Sequence, residues 1–251
     1  MHDILKDIVK HTNSLGIIQA AKVTTNEEGT LIYAMDDDRT VVLRGKLHTP
    51  VAEFTGKFGL GRLGVLSGLL SYTGEDASGK AVNANVEVGI EERNGENVPT
   101  EFKFTVPGSL DSSYRVIVSE LVDAQIKTAN FRGAQWDVEV MPTQKAIKDL
   151  QYFAGILSAF DPLLTARTVD GDLKFFIGDR STDRVELPFA SNVSGELKTG
   201  WSFPLSTVLT ILKSGDTSTM SVKISDQGAM MIQVDSGLGL YEYILPAKSG
   251  N

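Results

Sequence analysis

The chain is written twice. Ile4-Leu5-Lys6-Asp7-Ile8 returns as Ala146-Ile147-Lys148-Asp149-Leu150, 142 residues later. Gly29-Thr30-Leu31-Ile32-Tyr33 returns as Gly171-Asp172-Leu173-Lys174-Phe175 at the same offset, and Phe58-Gly59-Leu60-Gly61-Arg62-Leu63 answers Phe203-Pro204-Leu205-Ser206-Thr207-Val208 at an offset of 145. Each half closes on a similar strand, Tyr114-Arg115-Val116-Ile117-Val118 and Tyr241-Glu242-Tyr243-Ile244-Leu245. An offset that drifts but keeps its order reads as one ancestral unit duplicated, with loops of different length. Such a tandem pair builds symmetric surface more readily than a single catalytic cleft.

Each half reads helix, strands, helix, strands. The first helix is expected over Asp3 to Asn13, with Ile4, Leu5, Ile8 and Val9 on one face and Asp3, Lys6, Asp7 and Lys10 on the other. Its counterpart is expected to start at Pro142, a favoured first-turn residue, with Ala146, Ile147, Leu150, Phe153 and Ala154 inward and Lys145, Lys148, Asp149 and Tyr152 outward. A helix over Leu205 to Lys213 turns Leu205, Val208, Leu209 and Leu212 to the core and Ser206, Thr210 and Lys213 outward. Its counterpart over Leu60 to Tyr72 buries Leu63, Leu66 and Leu70 and sets Gly61, Gly64 and Gly68 opposite them, where another backbone could come close. Val41-Val42-Leu43, Val86-Glu87-Val88, Phe102 to Val106, Arg184 to Leu187 and Met220 to Ile224 read as strands, punctuated by turns at Asn94-Gly95, Asp170-Gly171 and Ser214-Gly215-Asp216. The divisions are a first domain over 1–119, a connecting linker over 120–133 lying along the surface of a sheet, and a second domain over 134–251.

Composition removes several classes of function. With no cysteine there are no disulfides, thiolate zinc sites or cysteine nucleophiles, which fits a reducing compartment. The start of the chain carries charges throughout and lacks the apolar core of a signal peptide. No apolar run reaches the roughly 20 residues a membrane helix needs. A cytoplasmic protein is expected, with no membrane partner. The net charge of −8 argues against a uniformly basic nucleic-acid binder but not against one with its positive charge on a single face.

Gly59-Leu60-Gly61-Arg62-Leu63-Gly64 matches the G-x-G-x-x-G pattern that sets a dinucleotide pyrophosphate on a helix N-terminus. A nicotinamide-dependent oxidoreductase is therefore one reading. Against it, Glu53 to Lys57 is no buried parallel strand, Asp76 falls in a Gly/Ser-rich loop, and the second repeat has no glycines here, so helix packing is the favoured role for these glycines. Asp36-Asp37-Asp38 reads as a solvated turn rather than a metal site. His2, His11 and His48 lack ligand spacing, His2 reads as mobile, and no Ser-His-Asp arrangement emerges. No cofactor, metal or catalytic residue is assigned. A β-rich structural or assembly protein is another reading. Lys6, Lys10, Lys145, Lys148 and Lys213 all fall on outward helix faces, and with Asp3, Asp7 and Asp149 they leave a net +2. Contact with a polyanion would be weak and salt-sensitive.

In its order, its duplication and three stretches the chain resembles the trimeric DNA sliding clamps, the family of proliferating cell nuclear antigen and the T4-like phage clamps, and stands nearer the phage type. The stretches are Ala34 to Leu43, Met141-Pro142-Thr143 leading into Lys148-Asp149-Leu150, and Leu240 to Lys248. The resemblance implies an α+β fold of two tandem clamp-type domains, each with helices packed on antiparallel sheets, closing as a homotrimeric ring with helices inside and sheets outside. It implies a non-enzymatic DNA polymerase processivity factor that encircles duplex DNA irrespective of sequence, tethers the replicative polymerase and is opened by an ATP-dependent clamp loader, in the host cytoplasm if viral. Lys6, Lys10, Lys148 and Lys213, with Lys145 and Arg62, match pore-facing positions. Met35, Val42, Leu121, Val122, Ile126, Leu245, Pro246 and Ala247 match the pocket for a partner peptide. Ser113, Tyr114, Val116 and Val118 would pair edge to edge with Arg184, Val185, Leu187 and Phe189 of the next subunit, which also disposes of exposed sheet edges.

Overall fold

The computed structural model describes residues 1–251 apart from 76, 77, 94, 129, 130, 179, 180, 182 and 249–251, so Asp76 and the expected turn at Asn94 lie outside the described residues. The chain divides into two compact units, Met1–Ala129 with Gly237–Tyr241, and Asn130–Ser236 with Glu242–Asn251.

The first unit opens with α1 (His2–Asn13), followed by β1 (Ala21–Asn26), β2 (Gly29–Met35), β3 (Val42–Leu47) and β4 (Lys57–Leu60). These strands pair antiparallel in the order β3-β2-β1-β4. Then come α2 (Leu63–Ser71), the small hairpin β5 (Thr73–Glu75) and β6 (Ala81–Asn83), the strands β7 (Asn85–Arg93), β8 (Glu96–Val106) and β9 (Leu110–Arg115), and α3 (Ser119–Gln125). The order β7-β8-β9 leaves β7 and β9 as edges. Leu5, Ile8 and Val9 of α1 and Leu63, Leu66 and Leu70 of α2 are buried, as their 3.6-residue spacing requires. Beneath them Phe54, Phe58 and Phe102 meet with ring centroids 5.2–6.1 Å apart, and Tyr114 stacks on Phe102.

The second unit repeats the plan. It contains β10 (Val138–Val140), α4 (Gln144–Leu157), β11 (Leu163–Val169), β12 (Asp172–Ile177), β13 (Val185–Ala190), β14 (Trp201–Pro204), α5 (Leu205–Leu212), β15 (Met220–Ser225) and β16 (Ala229–Asp235). The order β13-β12-β11-β14 is that of β3-β2-β1-β4, strand for strand, and β13 is an edge. Phe203 in β14 is as fully buried as its counterpart Phe58 in β4. Asp170 and Gly171, at φ 54° and 82°, make the two-residue turn between β11 and β12 with both central residues left-handed, the geometry that matches strand twist. The final strand, β17 (Gly239–Pro246), contributes Gly239–Tyr241 to the first unit and Glu242–Pro246 to the second.

Several expectations shift. The second-unit helix starts at Gln144 rather than Pro142, because Thr143 caps it by accepting from the Ala146 N–H at 3.1 Å. In α5 the buried residues are Leu205, Val208, Ile211 and Leu212, with Leu209 half-buried. Asp7 does not face outward. It accepts the Tyr241 hydroxyl at 2.8 Å, while Tyr241 stacks on His11 at 4.0 Å. His2 is held, its ring nitrogen 2.9 Å from the Leu70 carbonyl, joining the start of α1 to the end of α2.

The segment expected as a linker along a sheet contains α3, which does lie on β4. Gly59 makes this possible. A Cβ there would stand 2.7 Å from Ile126 Cδ1 and 2.8 Å from Val122 Cγ2. Gly59→Val should therefore cost about 1–3 kcal/mol by overpacking, read as a lower urea midpoint and faster hydrogen exchange across 119–126. Unchanged exchange there would show that α3 does not depend on this contact.

Candidate partner pocket and basic helix faces

A cavity of about 250 Å³ opens in the first unit between the end of β2, the segment before β1 and the end of α3. Met35 and Ile126 give it apolar walls with Ile17, and Gln19, Asp37, Arg39 and Lys127 make its rim polar. Three chain segments have to be fixed to build it. The first is the turn after β2. Asp36 is buried rather than solvated as expected, accepting Thr40 Oγ1 at 2.6 Å and the Val41 N–H at 2.7 Å. This closes the turn and places Arg39 at φ 55°, a left-handed conformation that is costly for a long side chain. Asp37, Asp38 and Arg39 stay exposed.

The second is α3. Val122 is fully buried over Gly59, and Asp123 accepts from both Lys57 and Lys22. The Lys57 and Lys22 ammonium groups hold the Asp123 carboxyl below the usual carboxylate range. The third is the backbone link between Gly59 and Ile117, made by two hydrogen bonds of 2.8 and 2.7 Å, which carries the chain from β9 across to α3. A second opening of about 490 Å³ adjoins it and shares Met35, Arg39, Ile126 and Lys127 with it.

Of the expected pocket residues, Met35 and Ile126 line the cavity. Val122 supports it from beneath, Leu121 is exposed on α3 and Val42 is half-buried. In the second unit Leu245 is buried, Pro246 is exposed, and the Ala247 and Lys248 N–H groups donate to the Gly228 and Ser202 carbonyls. Ile17, Gln19, Arg39 and Lys127 were not anticipated. They come from three stretches that no spacing rule links, although Arg39 adjoins the Asp36 turn that the sequence does flag.

The glycines of the G-x-G-x-x-G stretch are otherwise engaged. β4 runs antiparallel to β1, Gly59 is covered by Val122 and Ile126, and a Cβ on Gly61 would meet Ile117 Cδ1 at 3.0 Å. No pyrophosphate cradle remains, so the nicotinamide reading loses its basis. The expected helix packing holds for Gly59, which Val122 of α3 covers, whereas Gly61 is covered by Ile117, which lies in no helix. At Gly64 and Gly68 a Cβ would meet nothing within 4 Å. No group of three or more His, Asp or Glu among the described residues could hold a metal ion.

The basic residues stand on helix surfaces. Lys6 and Lys10 of α1, Arg62 at the start of α2, Lys145 and Lys148 of α4 and Lys213 at the end of α5 are all exposed. Lys145 pairs with Asp149 one turn on, and the Arg62 guanidinium lies 6.0 Å from the centre of the Tyr114 ring. Lys6, Lys10, Lys148 and Lys213 form no ion pair among the described residues. With Asp7 turned inward, α1 shows the solvent less acid than the sequence suggested.

The expected joint strands change in extent. β9 ends at Arg115, because Ile117 leaves to pair with Gly59 and Val118 caps α3. Tyr114, Val116, Leu187 and Phe189 bury their side chains within the chain, and Tyr114 donates its hydroxyl to the Gly61 carbonyl. β9 and β13 therefore offer backbone edges rather than side-chain patches. Ser113 and Arg184 are exposed and Val185 is half-buried.

Over its whole length the folded chain is similar to solved clamp structures. Against the structure described as the C-terminal region of FEN-1 bound to A. fulgidus PCNA, the TM-score is 0.71 at 12% identity, covering 100% of this chain and 97% of that one. Against proliferating cellular nuclear antigen from Entamoeba histolytica, it is 0.67 at 14% identity, covering 99% and 96%. The chain has the PCNA-like sliding-clamp fold. No protein-family model matches the sequence, and no curated protein matches it. At these identities the likeness is one of fold, carried by the repeated helix-and-sheet plan rather than by shared surface residues. No helix among the described residues is long and apolar enough to cross a membrane.

His11 gives this clamp fold a titratable weak point. It is fully buried against Tyr241, and desolvation, aided by Lys10, lowers its pKa from 6.5 to about 3. Below pH 6.5 the unfolded chain takes up a proton that the folded chain refuses. Stability should therefore fall with pH between about 6.5 and 3, by up to about 1.4 kcal/mol per pH unit. Urea midpoints at pH 7 and pH 5 measure this, and His11→Phe should flatten the difference. An equal loss in that variant would place the sensitivity elsewhere.

Proposed function

We propose that the chain is a DNA polymerase processivity factor, a ring of three copies that encloses duplex DNA and tethers a polymerase. The observation that carries this reading is the full-length clamp fold with the repeated pairing order of its sheets. The edge strands β9 and β13 support it. They are different strands, so joining one to the other is a head-to-tail contact, and such contacts close into rings when the rotation permits. The four lysines without ion pairs support a pore that touches phosphates lightly, by contacts too few and too exposed to fix a register. The net charge of −8 discourages DNA from binding elsewhere on the surface.

The cavity beside α3 is the site at which a polymerase segment would insert an apolar anchor, and an ATP-dependent loader is the partner that would open the ring. One solved neighbour is described as holding the C-terminal region of FEN-1, which makes a peptide ligand the first choice here also.

Threading tests the enclosure. Mixed with linear duplex DNA whose ends are then blocked, the protein should remain on the DNA through a high-salt wash and leave once one end is cut free. Loss at high salt with both ends blocked would mean ordinary electrostatic binding and would overturn the reading.

A further inference from the structure

In a chain of net charge −8, the outward face of the first unit's sheet is basic. Leu31, Tyr33 and Met35 alternate along β2 with the buried Ile32 and Ala34, so the three share the face turned away from the core. Tyr33 pairs across the strands with Lys22 of β1 and Arg44 of β3, and Leu31 pairs with Thr24 and Lys46. The Lys22 ammonium lies 5.6 Å from the centre of the Tyr33 ring. Lys46 is exposed and forms no ion pair among the described residues. Counted from the turn of each hairpin, the corresponding row of the second unit is Thr165, Phe176 and Glu186. There the ring is kept and both cations are lost, so the basic row belongs to the unit that holds the cavity.

Part of this charge already holds a carboxylate. Asp123 of α3 accepts from Lys22 at 3.2 Å and from Lys57 of β4, so cations on this sheet can seat an acidic side chain against it. One end of the face is Met35, where it meets the cavity, whose rim adds Arg39 and Lys127. The other end is the β1–β2 turn, where Glu27 and Glu28 are exposed. From Met35 to Leu31 is about 14 Å, the length of roughly four extended residues.

We infer that the outward face of β1, β2 and β3 docks an acidic, extended stretch of the same partner segment whose apolar anchor enters the cavity. Carboxylates roughly two and four residues from the anchor meet the Lys22–Tyr33–Arg44 row and then Lys46. The inference rests on the proposed partner site and adds the charge of what binds there. The occupant is a peptide rather than a nucleic acid for three reasons. The face is continuous with a cavity that takes an apolar side chain, and its cations already hold a carboxylate. Three strands about 4.8 Å apart also give too narrow a footprint for a run of phosphates. Glu27 and Glu28 repel a longer acidic run, which limits the stretch to about four residues.

Fluorescence anisotropy of labelled synthetic peptides tests this. Each peptide carries one Leu-Phe anchor and, on one side or the other, a run of about four Glu or four Gln residues. A short oligothymidylate is the nucleic-acid probe. In its better orientation the Glu peptide should bind about five- to tenfold tighter than the Gln peptide at low salt, and lose most of that advantage at about 0.3 M. Lys46→Glu, at an exposed position, should cut the advantage to about twofold or less and leave the Gln peptide unaffected. Met35→Ala should weaken both peptides alike. Equal binding of the two peptides, with both weakened by Met35→Ala, would overturn the inference and leave the partner cavity standing. An advantage that survives Lys46→Glu, or Glu-peptide binding indifferent to Met35→Ala, would also overturn it. Binding of oligothymidylate in place of the Glu peptide would make the face a nucleic-acid surface instead. If neither peptide binds, the acidic docking face and the partner cavity both fall.

Discussion

Replacing Lys6, Lys10, Lys148 and Lys213 together with alanine should reduce entry onto DNA by about tenfold or more at moderate salt, while the folded chain and its self-association survive. All four side chains are exposed and none forms an ion pair among the described residues, so their removal strands no buried partner. Exposed substitutions of this kind typically move stability by about 0.5 kcal/mol or less. Each lysine that meets a phosphate releases counterions, so the variant should also show a shallower dependence of DNA entry on salt. Lys145 serves as the internal control. Its charge is already engaged by Asp149, and Lys145→Ala alone should have a smaller effect than Lys148→Ala alone. Normal entry and an unchanged salt slope in the fourfold variant would show that these helix faces do not meet DNA.

The second large effect is expected at the cavity. Met35→Asp should weaken binding of the cognate polymerase by roughly 30- to 150-fold, the cost of about 2–3 kcal/mol for putting a charge where an apolar anchor is buried. Met35 is half-buried at the end of β2 and lines the cavity, so the substitution should leave the melting temperature within a few degrees. Ile126 is the poorer choice for this test, because it also covers Gly59 and its loss would loosen α3. Threading onto end-blocked DNA should be unaffected in Met35→Asp, which separates the partner site from the ring. Full polymerase affinity in a folded Met35→Asp variant would move the partner site away from this cavity.

The fold was legible because duplication leaves marks that survive drift. Phe58 and Phe203 sit at matching places in β4 and β14, and the apolar faces of α1, α4 and α5 follow from local spacing with few changes. What could not be read locally depended on contacts distant in sequence. The inward turn of Asp7 is decided by Tyr241, 234 residues away. α3 is two turns long in a segment of mixed polarity, and what holds it is the missing side chain of Gly59 together with Lys22 and Lys57.

The site was legible only in part for the same reason. Met35 and Ile126 came from the resemblance, whereas Ile17, Arg39 and Lys127 enter through the way three segments converge. The residues expected at the joint fall on or beside the edge strands β9 and β13, and several of their side chains are taken up by the core. Tyr114 and Phe189 are buried within their own units, while the backbone edges of β9 and β13 and the side chains of Ser113 and Arg184 stay open.

The most direct test of the whole account is the absolute mass of the protein in solution, by light scattering behind size exclusion over a wide range of concentration. Three chains of 27.1 kDa give a particle of about 81 kDa. That mass is expected at high concentration, with dissociation on dilution permitted. A particle of 27.1 kDa at every concentration would contradict it, leaving a clamp fold that makes no ring.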